Sequence, residues 1–288
     1  MALEAPRRDE PQALHMYGLD RAPLDAPGPT GGLVGAPISG DPVTGALTLL
    51  VELPAGWTAE GDGTADLELF VLEGTAALEG TVVGCGGYVH LPQGAPGAQV
   101  SSPGGALALA YVRPDAPSFP APYTAPRTAR SWEIPWQPVF PGMHGILFKP
   151  LRQPDLVTET FDGGPGGFLR IFLIAPGIGD PEEHVHHECF EEVITLAGDV
   201  LMTHEGMTGR GSVLGHPAGF WHGPFASHQG AVLLVHCDAP MGAPWPKREV
   251  AAGPAICEHW LDGASWVREA EHEPWATRPE AALTDPSS

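Results

Sequence analysis

A set of turn landmarks occurs twice in this chain, in the same order. Gly32-Leu-Val-Gly-Ala-Pro37 is echoed by Gly145-Ile-Leu-Phe-Lys-Pro150, and Pro54-Ala55-Gly56 by Pro176-Gly177-Ile178-Gly179. Val71-Leu72-Glu73-Gly74 answers Thr195-Leu196-Ala197-Gly198, and Pro92-Gln93-Gly94 answers Pro217-Ala218-Gly219. The offset is nearly constant over the later pairs, and an insert around Phe161-Asp162-Gly163-Gly164 accounts for most of the early shift. Between the landmarks lie short apolar runs at 47–53, 67–72 and 106–112, bounded by Gly, Pro or polar residues. Runs of that length suggest buried strands, although periodicity alone leaves a short helix open. An internal duplication at this period predicts two related units in one chain. The 38 glycines, 33 prolines and 17% charged residues suit a turn-rich β protein better than a helical one.

The copies differ in chemistry. In the second, His184 and His186 are two apart, so on an extended strand both imidazoles leave from one face. Glu191 lies an odd number of positions further on. The chain must therefore turn or bulge between His187 and Phe190 for Glu191 to rejoin the pair. His222 follows Pro217-Ala218-Gly219 and can approach from a neighbouring strand. Three imidazoles and a carboxylate make a site for a divalent transition metal with open positions. Glu192 is the alternative carboxylate, and the spacing to Gly198 favours Glu191. In the first copy no His-x-His precedes Glu68, and the position matching His222 falls at Gly97. His90 is the only imidazole nearby, so that unit is expected to be metal-free.

His184, His186, Glu191 and Gly198 fit the pattern His-x-His-x4-Glu-x6-Gly. Gly211, Pro217, Gly219 and His222 fit Gly-x5-Pro-x-Gly-x2-His. Together they resemble the two motifs of the cupin superfamily, and the duplication resembles a bicupin. Two positions depart from the pattern: the glycine six before His184 is displaced, and Ala226 stands where Asn often closes the second motif. The resemblance implies an all-β chain of two tandem jelly-roll barrels, with one metal held by His184, His186, Glu191 and His222 of the second.

The expected organisation is an N-terminal arm or disordered lead over 1–30, a metal-free barrel over 31–113 and a linker over 114–141 that holds Trp132 and Trp136. A metal-binding barrel follows over 142–240. A C-terminal extension over 241–270, with a short helical segment, leads into a flexible tail over 271–288. Fourteen basic against 35 acidic residues give a net charge of -21. That balance disfavours nucleic acid and anionic membrane as partners. No leader-like pattern and no apolar run of membrane-spanning length is present, so a cytoplasmic protein is expected. Cys85, Cys189, Cys237 and Cys257 show no Cys-x-x-Cys spacing and are expected to be reduced and buried.

Further candidates follow from strand alternation. Val193, Thr195 and Ala197 share the face of Glu191 and leave room for a modest organic molecule. His236 shares parity with Val232 and Leu234; it either lines the lumen as a proton shuttle or is a satisfied core histidine. Arg170 either clamps a substrate carboxylate or faces solvent. Trp221 is expected outside the lumen, His187 exposed, and His204, His216 and His228 solvated near turns. Iron(II) is the favoured metal, with Mn, Ni, Zn or Cu as alternatives. By analogy with related cupins, the first function expected is an oxygenase acting on a small enol, diketone or phenolic substrate. The alternatives are a non-redox decarboxylase, isomerase or lyase, and a non-catalytic sensor. Expected partners are a small-molecule substrate and, as a compatible assembly, a second copy in a homodimer.

Overall fold

The structure, a computed structural model, describes residues 4–114, 116, 123–139, 145–153, 166–180, 182–186, 188–203, 205–241 and 247–249. Among these the regular structure is all β, apart from 3-10 turns at Met16–Gly18, Gly28–Thr30 and Ser131–Glu133. The two halves repeat each other strand by strand. The large sheet of the first half runs Arg127–Arg130, Gly87–Leu91, Asp66–Gly74, Ala106–Arg113, Leu47–Leu53, Val34–Gly40, Ala22–Pro23. The corresponding path of the second half runs Gln12–His15, Ser212–His216, Glu191–Met202, Ala231–Cys237, Phe168–Ile174, Ile146–Arg152, Gln137–Pro138. A smaller sheet faces the first path, with Trp57–Glu60, Gln99–Ser102, Ala76–Leu78 and Thr81–Val83. Ile178–Asp180, Phe225–Ser227 and Gly206–Gly209 play that part in the second half.

The ends of the two paths are exchanged. Gln12–His15 precedes the first half in sequence yet pairs antiparallel with Ser212–His216 of the second. Arg127–Arg130 precedes the second half yet pairs with Gly87–Leu91 of the first. The segment 1–30, expected as an arm or disordered lead, thus carries two strands over its described part. Met16 is fully buried, and Arg8 is buried with its guanidinium on Ser39 and Thr48. Its low periodicity reflects docking against another unit instead of covering its own. The linker likewise holds strands, tied down where Lys149 Nζ donates to the Ser131 carbonyl at 2.9 Å and lies over the Trp136 ring. Lys247–Glu249 is a strand paired with Glu182–Val185. The expected helical segment beyond Glu249, the tail, the insert near Phe161, and His187, His204 and Cys257 lie outside the described residues.

Each large sheet is buried on both faces. Leu49, Val51, Leu69, Val71, Ala108 and Ala110 point into the first half's own core. Their neighbours Leu50, Phe70, Leu72, Leu109 and Tyr111 join Leu169, Ile171, Ile194, Leu196, Val232 and Leu234 in a core shared between the halves. Alternation along a strand therefore separates an inner core from a shared one. At about 1.5–3 kcal/mol per fully buried large apolar side chain, the shared core is a principal stabiliser of the pair.

Polar cross-links lie inside that shared core. Both Val34–Gly40 and Ile146–Arg152 carry a bulge just after a proline, which turns Ser39 and Arg152 toward the opposite half. Ser39 Oγ donates to Glu192 Oε1 at 2.7 Å, and Arg152 Nε donates to Glu68 at 2.9 Å. Glu68 also accepts from Arg113 at 2.8 Å and from the Tyr88 hydroxyl at 2.5 Å. His90 and Arg113 both contact Asp66 in the same cluster. His90 is therefore part of the contact between halves, and not of a metal site.

Burial would raise the Glu68 carboxyl, but Arg152 and Arg113 outweigh it and hold it down at about 2. A folded value below the unfolded one means that this contribution is complete above about pH 4.5 and is lost as pH falls toward 2. Glu68→Gln should cost about 3–5 kcal/mol at pH 7, because it strands buried guanidinium groups. It should also flatten the acid limb of stability between pH 4.5 and 2. Urea titrations at a series of pH values read both effects.

Candidate metal centre

The four residues singled out by spacing converge. Glu182–Val185 ends one residue before His186, and residues 186 and 188–190 lie outside any strand ahead of the one that starts at Glu191. The odd spacing is resolved there. His184 pairs in register with His222 on the antiparallel strand Trp221–His222. Ring centroids lie 4.2 Å apart for His184 and His222, 5.2 Å for His184 and His186, and 5.3 Å for His186 and His222. Glu191 Oε2 is 3.0 Å from His222 Nε2, and Oε1 is 3.9 Å from His186 Nε2.

The sequence reading missed one member. His216, expected in solvent near a turn, is 2% exposed and stands directly opposite Glu191 in the antiparallel register. Its Nδ1 is 3.2 Å from Glu191 Oε2 and its Nε2 is 3.3 Å from Glu205 Oε1. The available signal was alternation with Leu214, an inward residue of the same strand; the adjacent Pro217 drew the reading toward a turn. His228, half-buried, donates its backbone N–H to Asp199 and lies apart from the cluster.

One ligand atom from each of His184, His186 and His222 lies within 4.8 Å of the others, and the same holds for Glu191, His216 and His222. The donor set fits a transition metal. His222 Nδ1 lies 3.1 Å from the Phe220 carbonyl, which fixes the ring and leaves Nε2 toward the cluster. Burial, and then the neighbouring imidazole of His222, lowers His184 to about 2; burial first also lowers His186, to about 4. Both rings are neutral at pH 7, the form that offers a lone pair to an ion. For Glu191 burial opposes ionisation, but hydrogen bonds from His216 and His222 hold its carboxyl well below the usual range. His216 is raised to about 9: burial lowers it, and the hydrogen bonds to Glu191 and Glu205 more than reverse that.

The cluster opens on a cavity of about 120 Å³. Val193 and Thr195 line it as expected, among Phe172, Leu214, Leu233 and Val235. Ala197 does not: a bulge between Thr195 and Ala197 turns it into the shared core. His236 does not line it either. On the opposite face from Val235, it is fully buried and packs on Tyr111 of the other half at 4.6 Å, so the proton-shuttle role is corrected to a core position. Arg170 is neither solvent-facing nor on the cavity wall. It is fully buried inside the second half, stacked on Phe168 at 3.7 Å, and donates from Nε to Gln153 Oε1 at 2.9 Å. Trp221 is half-buried outside the cavity wall. Cys189 and Cys237 are buried free thiols, and Cys85 is half-buried.

Among the described residues of the first half, no group of three ligating side chains comes together in this way. Leu67 and Leu91 stand opposite each other where the second half has Glu191 and His216. The glycine hydrogen bond Gly97 to Gly61 occupies the region equivalent to His222 and His184.

No family model matches the sequence, and no curated protein matches it. Solved structures do match. A protein from Nostoc punctiforme described as a "putative dioxygenase" superposes with TM-score 0.65 at 16% identity, covering 85% of this chain and 88% of that one. A cupin 2 conserved barrel domain protein from Leptotrichia buccalis gives TM-score 0.52 at 11% identity over 79% and 96%. A point mutant of Bacillus subtilis oxalate decarboxylase gives 0.51 at 11% over 87% and 84%. The fold is that of the cupins. Within that fold, His184, His186 and His222 lie together, Glu191 is beside them, and His216 stands next to Glu191 and His222.

His184→Ala or His222→Ala should lower retained metal more than about 10-fold, whereas His236→Ala, on the far face of the sheet, should leave it unchanged. Elemental analysis after dialysis against trace metal, with far-UV circular dichroism to confirm folding, checks both.

Proposed function

We propose that this cupin is a metal-dependent enzyme, an iron(II) oxygenase acting on a small enol, diketone or phenolic substrate, with its two halves closing as tandem jelly-roll barrels. The observation that carries the reading is the convergence of His184, His186, Glu191 and His222 at the mouth of an apolar cavity. Those four residues would hold the ion. Bound there, iron supplies a redox centre and a Lewis acid with positions left for oxygen ligands. Manganese, nickel, zinc or copper would also suit the ligands, since affinity alone does not select iron.

The walls set the substrate. Apolar cavities of about 150 Å³ admit one benzene, so about 120 Å³ suits a molecule of roughly six heavy atoms. Among the described lining residues there is no lysine or arginine. A dianion would be desolvated there without a counter-charge, which favours a neutral or singly charged substrate. Phe172, Val193, Leu233 and Val235 exclude water from the reacting atoms. Thr195 donates to Thr208 Oγ1 at 3.3 Å, and Thr208 donates to the Val200 carbonyl at 2.9 Å. That relay leaves Thr195 Oγ1 as an acceptor for a substrate hydroxyl.

A second reading, a non-redox decarboxylase, isomerase or lyase, draws on Asp180, a carboxylate on the cavity wall that could serve as acid or base. The names of the Nostoc and Bacillus structures lend support to one reading each. A small-molecule substrate is the proposed partner in either case, and a homodimer is a compatible assembly.

Iron-loaded protein should consume oxygen with short 1,3-diketones or enols and fall silent under argon; turnover that persists without oxygen selects the second reading. Val193→Phe, which fills the cavity, should reduce kcat/KM at least about 10-fold with metal content intact. An oxygen electrode and metal analysis measure these.

A further inference from the structure

The proposed reaction assigns no task to His216 or Glu205, yet the His216 ring is held on every side. Glu191 Oε2 lies 3.2 Å from its Nδ1 and Glu205 Oε1 3.3 Å from its Nε2. Phe220 stacks on it at 5.7 Å and 13°, and His222 at 4.1 Å and 19°. Both ring nitrogens thus face carboxylate oxygens. His222 differs: its Nδ1 is taken by a carbonyl and its Nε2 faces the cluster. With Nδ1 hydrogen-bonded to Glu191 and Nε2 within ion-pair distance of Glu205, the ring can orient a ligand, and ligating an ion through Nδ1 would cost it the Glu191 contact.

We propose that His216 is a positioning residue of the metal centre: it fixes the rotation of the Glu191 carboxylate, and Glu205 and Phe220 fix His216. The proposal rests on the metal reading above and adds a supporting layer to it. Glu191 Oε2 is shared between His216 and His222, whose Nε2 is 3.0 Å away. Without His216, that oxygen would be free to turn wholly onto His222 and occupy the nitrogen that is to bind the ion. Supporting hydrogen bonds of this kind typically set metal affinity by 10–100-fold. The first half shows what the strand accepts at this place: Leu91 stands opposite Leu67 there, fully packed. Leucine at position 216 is therefore compatible with the local backbone.

Cobalt(II) binding to the full chain tests the proposal, by affinity titration, by the visible spectrum and by the number of histidine nitrogens coupled to the metal. His216→Leu should weaken binding about 10–100-fold and alter the spectrum while the number of coupled nitrogens stays the same. His216→Asn, whose amide nitrogen approximates the place of Nδ1, should recover most of the affinity. Glu205→Gln should shift both readouts in the same direction by a smaller factor. An unchanged affinity and spectrum in His216→Leu overturn the proposal, and so does the loss of one coupled nitrogen, which would make His216 a ligand. If His216→Leu does not fold, Glu205→Gln decides, and an unaltered spectrum there counts against it. Failure of the wild-type protein to bind cobalt would instead remove the metal reading itself.

Discussion

Burial of each large sheet on both faces is the constraint on which the rest of this molecule depends. An exposed antiparallel sheet writes alternation into its sequence; a sheet covered on both sides writes a continuous apolar run. Leu47–Leu53, Ala106–Arg113 and Ala231–Cys237 are runs of that kind, with one set of side chains in a half's own core and the other in the shared core. Parity along such a strand is legible. Which parity faces the ligand is not, because both faces are apolar. His236 shows the consequence: its alternation with Val232 and Leu234 was correctly read, but those residues belong to the shared core.

Other elements were legible for definite reasons. Candidate metal ligands bring chemistry that apolar packing does not supply, so His184, His186, Glu191 and His222 stand out against their surroundings. The turn glycines are legible for a steric reason. Gly198 has φ +74°, and a Cβ there would lie 1.9 Å from the Gly230 carbonyl oxygen; Gly74 repeats this against Gly105 at 2.1 Å. The backbone crowding is the same in both halves, so the same residue recurs. Partners distant in sequence left no such mark. The exchange of Gln12–His15 and Arg127–Arg130 between halves depends on a sheet edge far along the chain. Arg170 was misplaced because a buried guanidinium needs partners, and besides Phe168 on its own strand these are Phe148 and Gln153, on or just beyond the neighbouring strand. His216 was missed because its partner Glu205 comes from a neighbouring turn.

The duplication has diverged along the contact between halves as well as in the lumen. At matching bulges one half offers Arg152 and the other Ser39, and each reaches the glutamate of the opposite half. The charged version sits within a cluster with Arg113, Asp66 and His90, and Glu68 is held ionised. On the Ser39 side, burial leads and the Glu192 carboxyl is raised. Breaking either contact leaves a buried carboxylate short of a partner, so each half holds the other in a single arrangement. A metal centre built on strands gains from this, since ligand positions drift if the sheets slide.

The contrast between the two lumens bears on why the second is left open. Leu67 and Leu91 meet in the first half where Glu191 and His216 meet in the second, and apolar packing there needs no further compensation. Leaving a cavity of about 120 Å³ unfilled forgoes the packing contacts that larger side chains would make there. The second half bears that cost together with the desolvation of buried imidazoles and a carboxylate. A sequence selected for stability alone would fill the space, as Leu67 and Leu91 do at the equivalent place in the first half. An ion held by those four side chains, as proposed, would offset such a cost by mass action, because the unfolded chain presents no equivalent site. The first half, where Leu67 and Leu91 pack at this place, shares its core with the half that keeps the cavity and the cluster of donors.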